Sequence, residues 1–209
     1  MFKSIFFKSV LCASVVSFLV SCNNDDDNRP VTVPLTTKTF SNLYAPQSGG
    51  QGQPDGGAFT KFSFAQNAIV TDNSWDIAFR GTTIIVNGGS AIGITDEPAR
   101  TGVAAVSIVS NTLNAVTTIP TASTFKQDAS NSYAIPTGSG TGWYNYNSTT
   151  HLITPIAGKV FVIKTHNGKY AKMEILSYYK DAPSNPSVTS LTRYFTFKYV
   201  YQPNGTSFK

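Results

Sequence analysis

The sequence predicts an all-β domain of antiparallel strands, with room for no more than one or two short helices. Three observations point there. Lys159 to Tyr179 reads as two alternating runs on either side of Asn167-Gly168. Before the pair, Val160, Val162 and Lys164 interleave with Phe161, Ile163 and Thr165; after it, Ala171, Met173, Ile175 and Ser177 interleave with Lys172, Glu174, Leu176 and Tyr178. Period-two alternation about Asn-Gly is the strongest short-range hairpin signal, and here it predicts a type I′ turn with positive φ at both central residues. Thr192 to Tyr201, TRYFTFKYVY, alternates in the same way. The composition agrees: 10 Tyr and 14 Phe with only 13% charged residues favour strands over helices.

Taken in order, the chain begins with a segment outside the fold. Lys3 and Lys8 precede a mostly apolar run, Ser9 to Val20, that is too short to span a bilayer. Leu19-Val20-Ser21-Cys22 then reads as a lipobox, so residues 1–21 are expected to be a lipoprotein signal peptide. Cys22 would become the acylated N-terminus, and Cys12, the other of the two cysteines, would be lost with the signal. The mature chain then has no disulfide and no cysteine nucleophile. Residues 22–35 carry Asn23 to Arg29, NNDDDNR, a polar acidic tether. Acidic residues directly after the lipidated cysteine resemble the surface-export signals of outer-membrane lipoproteins.

Residues 36–209 are expected to form one domain. Thr36 to Tyr44 reads as a first strand, and Gln47 to Gly57 as a Gly- and Pro-rich loop that cannot sustain a ladder. Ala58 to Phe64, Trp75 to Arg80 and Thr82 to Val86 read as strands, the last broken by Asn87-Gly88-Gly89. Thr101 to Thr118 fits neither period, and both a short helix over Ser107 to Ala115 and a strand–loop–strand are consistent with it. Phe125 to Ala129 is weakly helical, and Asn131 to Gly142 is a second long loop. Trp143 to Tyr146 and Leu152 to Thr154 read as short strands joined by Asn147 to His151, and Asp181 to Ser190 as a polar connector. Loops as long as these two are commonly functional, and surface wrapping is the alternative.

The chemistry is sparse. The net charge of +5 is scattered, without the clustered Lys and Arg of a phosphate-binding face, so nucleic acid is not an expected partner. There is no G-x-S-x-G, Walker A or H-E-x-x-H sequence. Gly138 to Gly142, GSGTG, neither follows a long strand nor opens a helix, and reads as a flexible loop. Three of the 11 carboxylates, Asp25 to Asp27, lie in the tether, and the spacing of the others favours no acid–base pair. No enzyme is therefore expected. The two histidines, His151 and His166, lie near predicted strand ends. Imidazole is a natural axial ligand of haem iron, and thioether sulfur is the other common one. Met173, the methionine left after signal removal, reads better as core.

Trp75 to Arg80 (WDIAFR), Asn87 to Gly89 (NGG), Trp143 to Tyr146 (WYNY), Gly168 to Tyr179 (GKYAKMEILSYY) and Arg193 to Tyr201 (RYFTFKYVY) occur in this order behind the lipoprotein signal. Together they resemble the HmuY-like haem-binding lipoproteins, over roughly Thr36 to Gln202. The resemblance implies an all-β fold that grips one haem between loops at one end. It also implies capture of haem at the outer surface of the outer membrane, with host haemoproteins as sources, and delivery to a TonB-dependent receptor. The iron would be held by two side chains, for which His151 and His166 are the candidates, with Met173 as the alternative partner. A different class remains open: a cell-surface protein or glycan binder on the same fold, in which Trp143, Tyr144, Tyr146 and the tyrosines of the late strands stack on sugars.

Overall fold

The computed structural model describes residues 34–50 and 52–209. The expected signal peptide, Cys22 and the tether up to residue 33 lie outside the described residues. Pro34–Lys209 form one compact unit. Its strands are β1 (Thr37–Tyr44), β2 (Ser48–Gly50), β3 (Gln53–Gly56), β4 (Thr60–Ser63), β5 (Ala68–Val70), β6 (Ile77–Arg80) and β7 (Thr83–Val86), followed by β8 (Ala105–Ser110), β9 (Tyr144–Asn147), β10 (Leu152–Pro155), β11 (Lys159–Lys164), β12 (Tyr170–Tyr179) and β13 (Thr192–Gln202). The helical content of the described residues is one 3-10 turn, Ala122–Thr124. No described helix is long and apolar enough to cross a membrane.

A five-stranded sheet, β1-β13-β12-β11-β8, and a four-stranded sheet, β5-β4-β6-β7, carry the fold, and all their pairings are antiparallel. Alternation decides which side chains meet between them. Phe161, Ile163, Ala171, Met173, Phe195, Phe197 and Tyr199 share one buried cluster with Phe62, Phe64, Ile77, Phe79, Ile84 and Val86 of the smaller sheet. Phe62 packs edge-on against Phe197 and Tyr199, with ring centroids 5.2 and 5.9 Å apart. The intervening residues Val160, Val162 and Val200 point to the opposite face, where they pack with Leu113, Val116 and Phe208. Two small ribbons, β2–β3 and β9–β10, stand apart from the sheets.

The central hairpin forms as predicted, but its turn does not. Only Gly168 has positive φ (82°), while Thr165 N–H donates to the Lys169 carbonyl (2.8 Å) and Gly168 N–H to the Thr165 carbonyl (3.0 Å). The loop is thus three residues, His166-Asn167-Gly168, ending on a left-handed glycine rather than a two-residue type I′ turn. The reason is tertiary: His166 N–H is held by Asp76, 90 residues away in sequence. Other differences are smaller. The Gln47 to Gly57 loop contains the β2–β3 ribbon, with Gly49, Gly50 and Gly52 all at positive φ. The ambiguous stretch holds a strand, β8, rather than a helix over Ser107 to Ala115. The residues after the 3-10 turn run extended, and Lys126 bridges to Val106 instead of continuing a helix. β5 carries too few residues to show a pattern and was not expected. Register shifts near the end of β12 turn both Tyr178 and Tyr179 into the core, where strict alternation places only one.

Candidate functional site

The residues capable of ligand chemistry gather at the two ends of the sandwich. β12 runs the full distance between them, ten residues or roughly 30 Å.

At one end lies the β11–β12 turn. Asp76, 1% exposed, sits just before β6, and its carboxylate accepts from three N–H groups. Oδ2 accepts Phe64 N–H at 2.8 Å; Oδ1 accepts His166 N–H at 2.8 Å and the His166 ring at 2.7 Å. A carboxylate in this role only accepts, so His166 Nδ1 carries a proton, and in the neutral imidazole the Nε2 lone pair is left for a ligand. The His166 side chain is 22% exposed. Gly102 makes room for it, since a Cβ there would lie 2.7 Å from His166 Cβ. Asn87 secures the surroundings by accepting from Thr101 and Gly102 N–H and donating to the Asn73 and Trp75 carbonyls. Gly88, next in the NGG stretch, lets the backbone approach Ala104, whose carbonyl oxygen would be 2.0 Å from an added Cβ.

Burial pushes the Asp76 carboxyl above its ordinary value of 3.8, only partly offset by the N–H groups of His166 and Phe64. A raised carboxyl contributes its stability below the unfolded value and loses it as pH rises through the folded one. Urea unfolding from pH 4 to 7 should therefore show wild type losing stability relative to Asp76→Asn as pH rises. A difference that does not change with pH would mean that Asp76 titrates as in the unfolded chain.

Beside the turn runs a surface groove of about 360 Å³, lined by Val103, Ala105, Ala122, Phe125, Gln127, Lys164 and Tyr170. Val103, on the groove's wall, donates its N–H to the His166 carbonyl at 2.9 Å. The rings of Phe125 and Tyr170 lie 6.0 Å apart, and Lys164 is the cation on the groove's wall. An apolar, partly aromatic surface with one cation suits a flat amphipathic anion.

At the other end is the β9–β10 ribbon. Trp143, 2% exposed, anchors its root by donating Nε1–H to the Thr82 carbonyl at 2.8 Å. Ile153 N–H donates to the Tyr179 hydroxyl at 2.8 Å, which ties the ribbon to the far end of β12. His151 lies on the ribbon's turn, exposed and at φ 55°, with Nδ1 2.7 Å from the Tyr146 hydroxyl. Nearby strands add a tilted ring pair, exposed Tyr44 and half-buried Tyr194, with centroids 4.8 Å apart.

The fold therefore does not bring the three sequence-predicted ligands together. His166 and His151 sit at opposite ends of β12, and a single iron cannot take both. Met173 is fully buried, paired across strands with Phe161 and Tyr199 in the main core. Sequence reasoning also missed Asp76 as the partner of His166. Its place in WDIAFR marked a strand, and nothing local connects it to a residue 90 positions on.

Against known proteins, residues 57–199 match the HmuY family, described as HmuY protein. Among solved structures the chain is similar to an HmuY-like haem-binding protein from Bacteroides vulgatus, at 14% identity over 82% of this chain and 93% of that one, with a TM-score of 0.47. It is similar to a lipoprotein from Bacteroides fragilis at 14% identity over 81% and 90%, with a TM-score of 0.48. It is likewise similar to the apo form of an HmuY analog from Tannerella forsythia at 15% identity over 81% and 96%, with a TM-score of 0.38. No curated protein matches the chain. The family match extends from just before β4 to within β13 and so takes in strands of both sheets and the His166 turn. The chain belongs to the HmuY family.

Proposed function

We propose that this protein is a haem-binding lipoprotein, anchored through Cys22 in the outer membrane and exposed at the cell surface. It takes up haem, with host haemoproteins as sources, and passes it to a TonB-dependent receptor; it binds and hands over its ligand and catalyses no reaction. The observation that carries this reading is the family match over residues 57–199. The residues present fit the group. Haem supplies an iron that accepts an imidazole nitrogen. His166 offers Nε2 while Asp76 holds Nδ1, the carboxylate–histidine arrangement that orients metal-binding imidazoles. Val103, Phe125 and Tyr170 provide apolar and aromatic surface in the groove next to the turn, and Lys164 would supply a cation for a propionate.

The test is a haem titration of the purified protein read in the Soret region. Wild type should give a saturable one-to-one band. Asp76→Asn should weaken binding by about 10- to 100-fold, the usual cost of losing such an orienting partner. His166→Ala should weaken it further, and His151→Ala should leave it unchanged. A wild-type protein that leaves the spectrum of free haem unaltered would sink the reading.

A second reading draws on the Tyr44–Tyr194 pair, of which Tyr44 is exposed, with Lys180 Nζ 5.9 Å over the Tyr194 ring. Such a surface stacks on sugar rings, and retention of the protein on a glycan array, lost in Tyr194→Ala, would favour it.

A further inference from the structure

The outer face of the five-stranded sheet is covered by residues 111–127, a strap with little regular structure. Its backbone ties are few: Asn111 to Gly158, a bridge from Thr118 to Ser207, the Phe208 N–H to the Thr117 carbonyl, and the Lys126–Val106 bridge. Beneath it, Leu113 and Val116 pack on Val160, Val162, Val200 and Phe208.

Lys172 lies in the middle of this apolar layer, 4% exposed. Its ammonium donates to the Leu113 carbonyl (2.8 Å) and the Val116 carbonyl (2.9 Å), both on the strap, and lies 5.3 Å over the Phe208 ring. Among the described residues no carboxylate is within ion-pair distance of it. Buried charges are ordinarily paired with an opposite charge. Here two neutral carbonyls stand in, and burial alone pushes the Lys172 ammonium's pKa down. A groove of about 340 Å³ opens beside it, lined by Thr37, Thr112, Leu113, Asn114, Glu174 and Lys198. Leu113 is at once the groove's wall and a carbonyl partner of Lys172. Glu174 and Lys198 are cross-strand neighbours and offset each other, so the uncompensated charge is that of Lys172.

We propose that the sheet face beneath this strap is a second binding site, for a long-chain carboxylate. Its head group displaces the strap carbonyls from Lys172, and its alkyl chain replaces Leu113 and Val116 against Val160, Val162 and Val200. Three observations select this ligand class. The strands beneath the strap offer a row of aliphatic side chains, Val160, Val162 and Val200, with the Phe208 ring in the same layer. Among the described residues the one charge buried in that layer is the Lys172 cation; Glu174 and Lys198 stand at the groove's edge. The covering segment is held by isolated bonds that break at less cost than a strand ladder. The proposal does not rest on the haem reading: the haem groove is walled by the end of the strap, Ala122, Phe125 and Gln127, whereas Lys172 is held by Leu113 and Val116 near its start.

The experiment titrates the protein, with its valine methyls isotope-labelled, with palmitate, followed by NMR. Saturable one-to-one shifts are expected at Val160, Val162 and Val200, with none at Val86 in the main core. Lys172→Met should weaken them at least tenfold, and His166→Ala should leave them intact, which separates this site from the haem site. Hexadecanol, with the same chain and no charge, should produce no saturable shifts; this arm reads the head group on wild type even if the Lys172 variant does not fold. Absence of saturable shifts at the three valines would overturn the proposal. So would equal shifts with hexadecanol, or equal affinity in a folded Lys172→Met.

Discussion

Replacing Arg100 with alanine is expected to destabilise the protein by about 3–5 kcal/mol at neutral pH, the cost of leaving a buried charge without its partner. Arg100 has 3% of its side chain exposed and bridges two carboxylates. Nη2 donates to Asp128 at 3.1 Å, and Nη1 to Glu97 at 2.5 Å and to the Pro98 carbonyl at 3.0 Å. Both carboxylates organise backbone: Asp128 ties the end of β7 to the Ala134 loop, and Glu97 holds a loop outside the strands. Asp128 accepts Val86 and Ala134 N–H, each at 2.9 Å. Glu97 accepts the N–H groups of Ile92, Gly93 and Ile94. Without the guanidinium, Asp128 keeps two N–H donors but no cation, in a site where burial already pushes its carboxyl above 3.8. The sign of the pH dependence follows. A protonated Asp128 needs no cation, so the deficit of Arg100→Ala should shrink as pH falls through the raised value. Arg100→Lys should cost less than alanine but more than nothing, because an ammonium cannot fork to both partners as a planar guanidinium does. Urea unfolding at pH 5 and pH 7 measures both effects. An alanine variant within 1 kcal/mol of wild type at pH 7 would show the network to be dispensable.

Trp143→Ala should have an effect of similar size, about 3–5 kcal/mol, through a different mechanism. The indole contacts Tyr144, Tyr178 and Phe195, with ring centroids 4.8, 5.5 and 5.0 Å away. It fills the junction of the β9–β10 ribbon with the end of the main core, and its N–H satisfies the Thr82 carbonyl. Alanine removes the volume and strands that carbonyl. Phenylalanine keeps most of the volume, so Trp143→Phe should cost only about 1–3 kcal/mol, the price of the unmet acceptor and the smaller ring. The loss should also be directional. His151 and Tyr146, on the ribbon, should lose their dispersed NMR shifts, whereas His166, bound to Asp76 at the other end, should keep its own. Uniform loss at both histidines would mean that the ribbon and the sandwich unfold as one unit.

How far the fold could be read from the chain depends on strand length. β11, β12 and β13 carry six to eleven residues each, enough for alternation to mark their faces, and all three were legible. β5 has three residues, and β8 joins an apolar start to an exposed end, so neither displays a period. The glycines of NGG were visible as a break. That Gly88 exists to let Ala104 approach was not, since the distance involved is between segments.

The candidate site divides the same way. His166 and Met173 could be named from residue chemistry. Asp76 as the partner of His166, Lys172 under its strap, and the separation of His151 from His166 could not, because each is a relation between distant segments.

By itself, then, the sequence determined the class of fold, the central hairpin and the last strand, because these follow from repeats within a few residues. The tertiary structure alone decided the turn type at Asn167-Gly168, the core placement of both Tyr178 and Tyr179, and the pairing of Arg100 with Asp128 and of Asp76 with His166. These depend on which buried polar group finds which partner once the sheets close, and a local pattern carries no record of that choice.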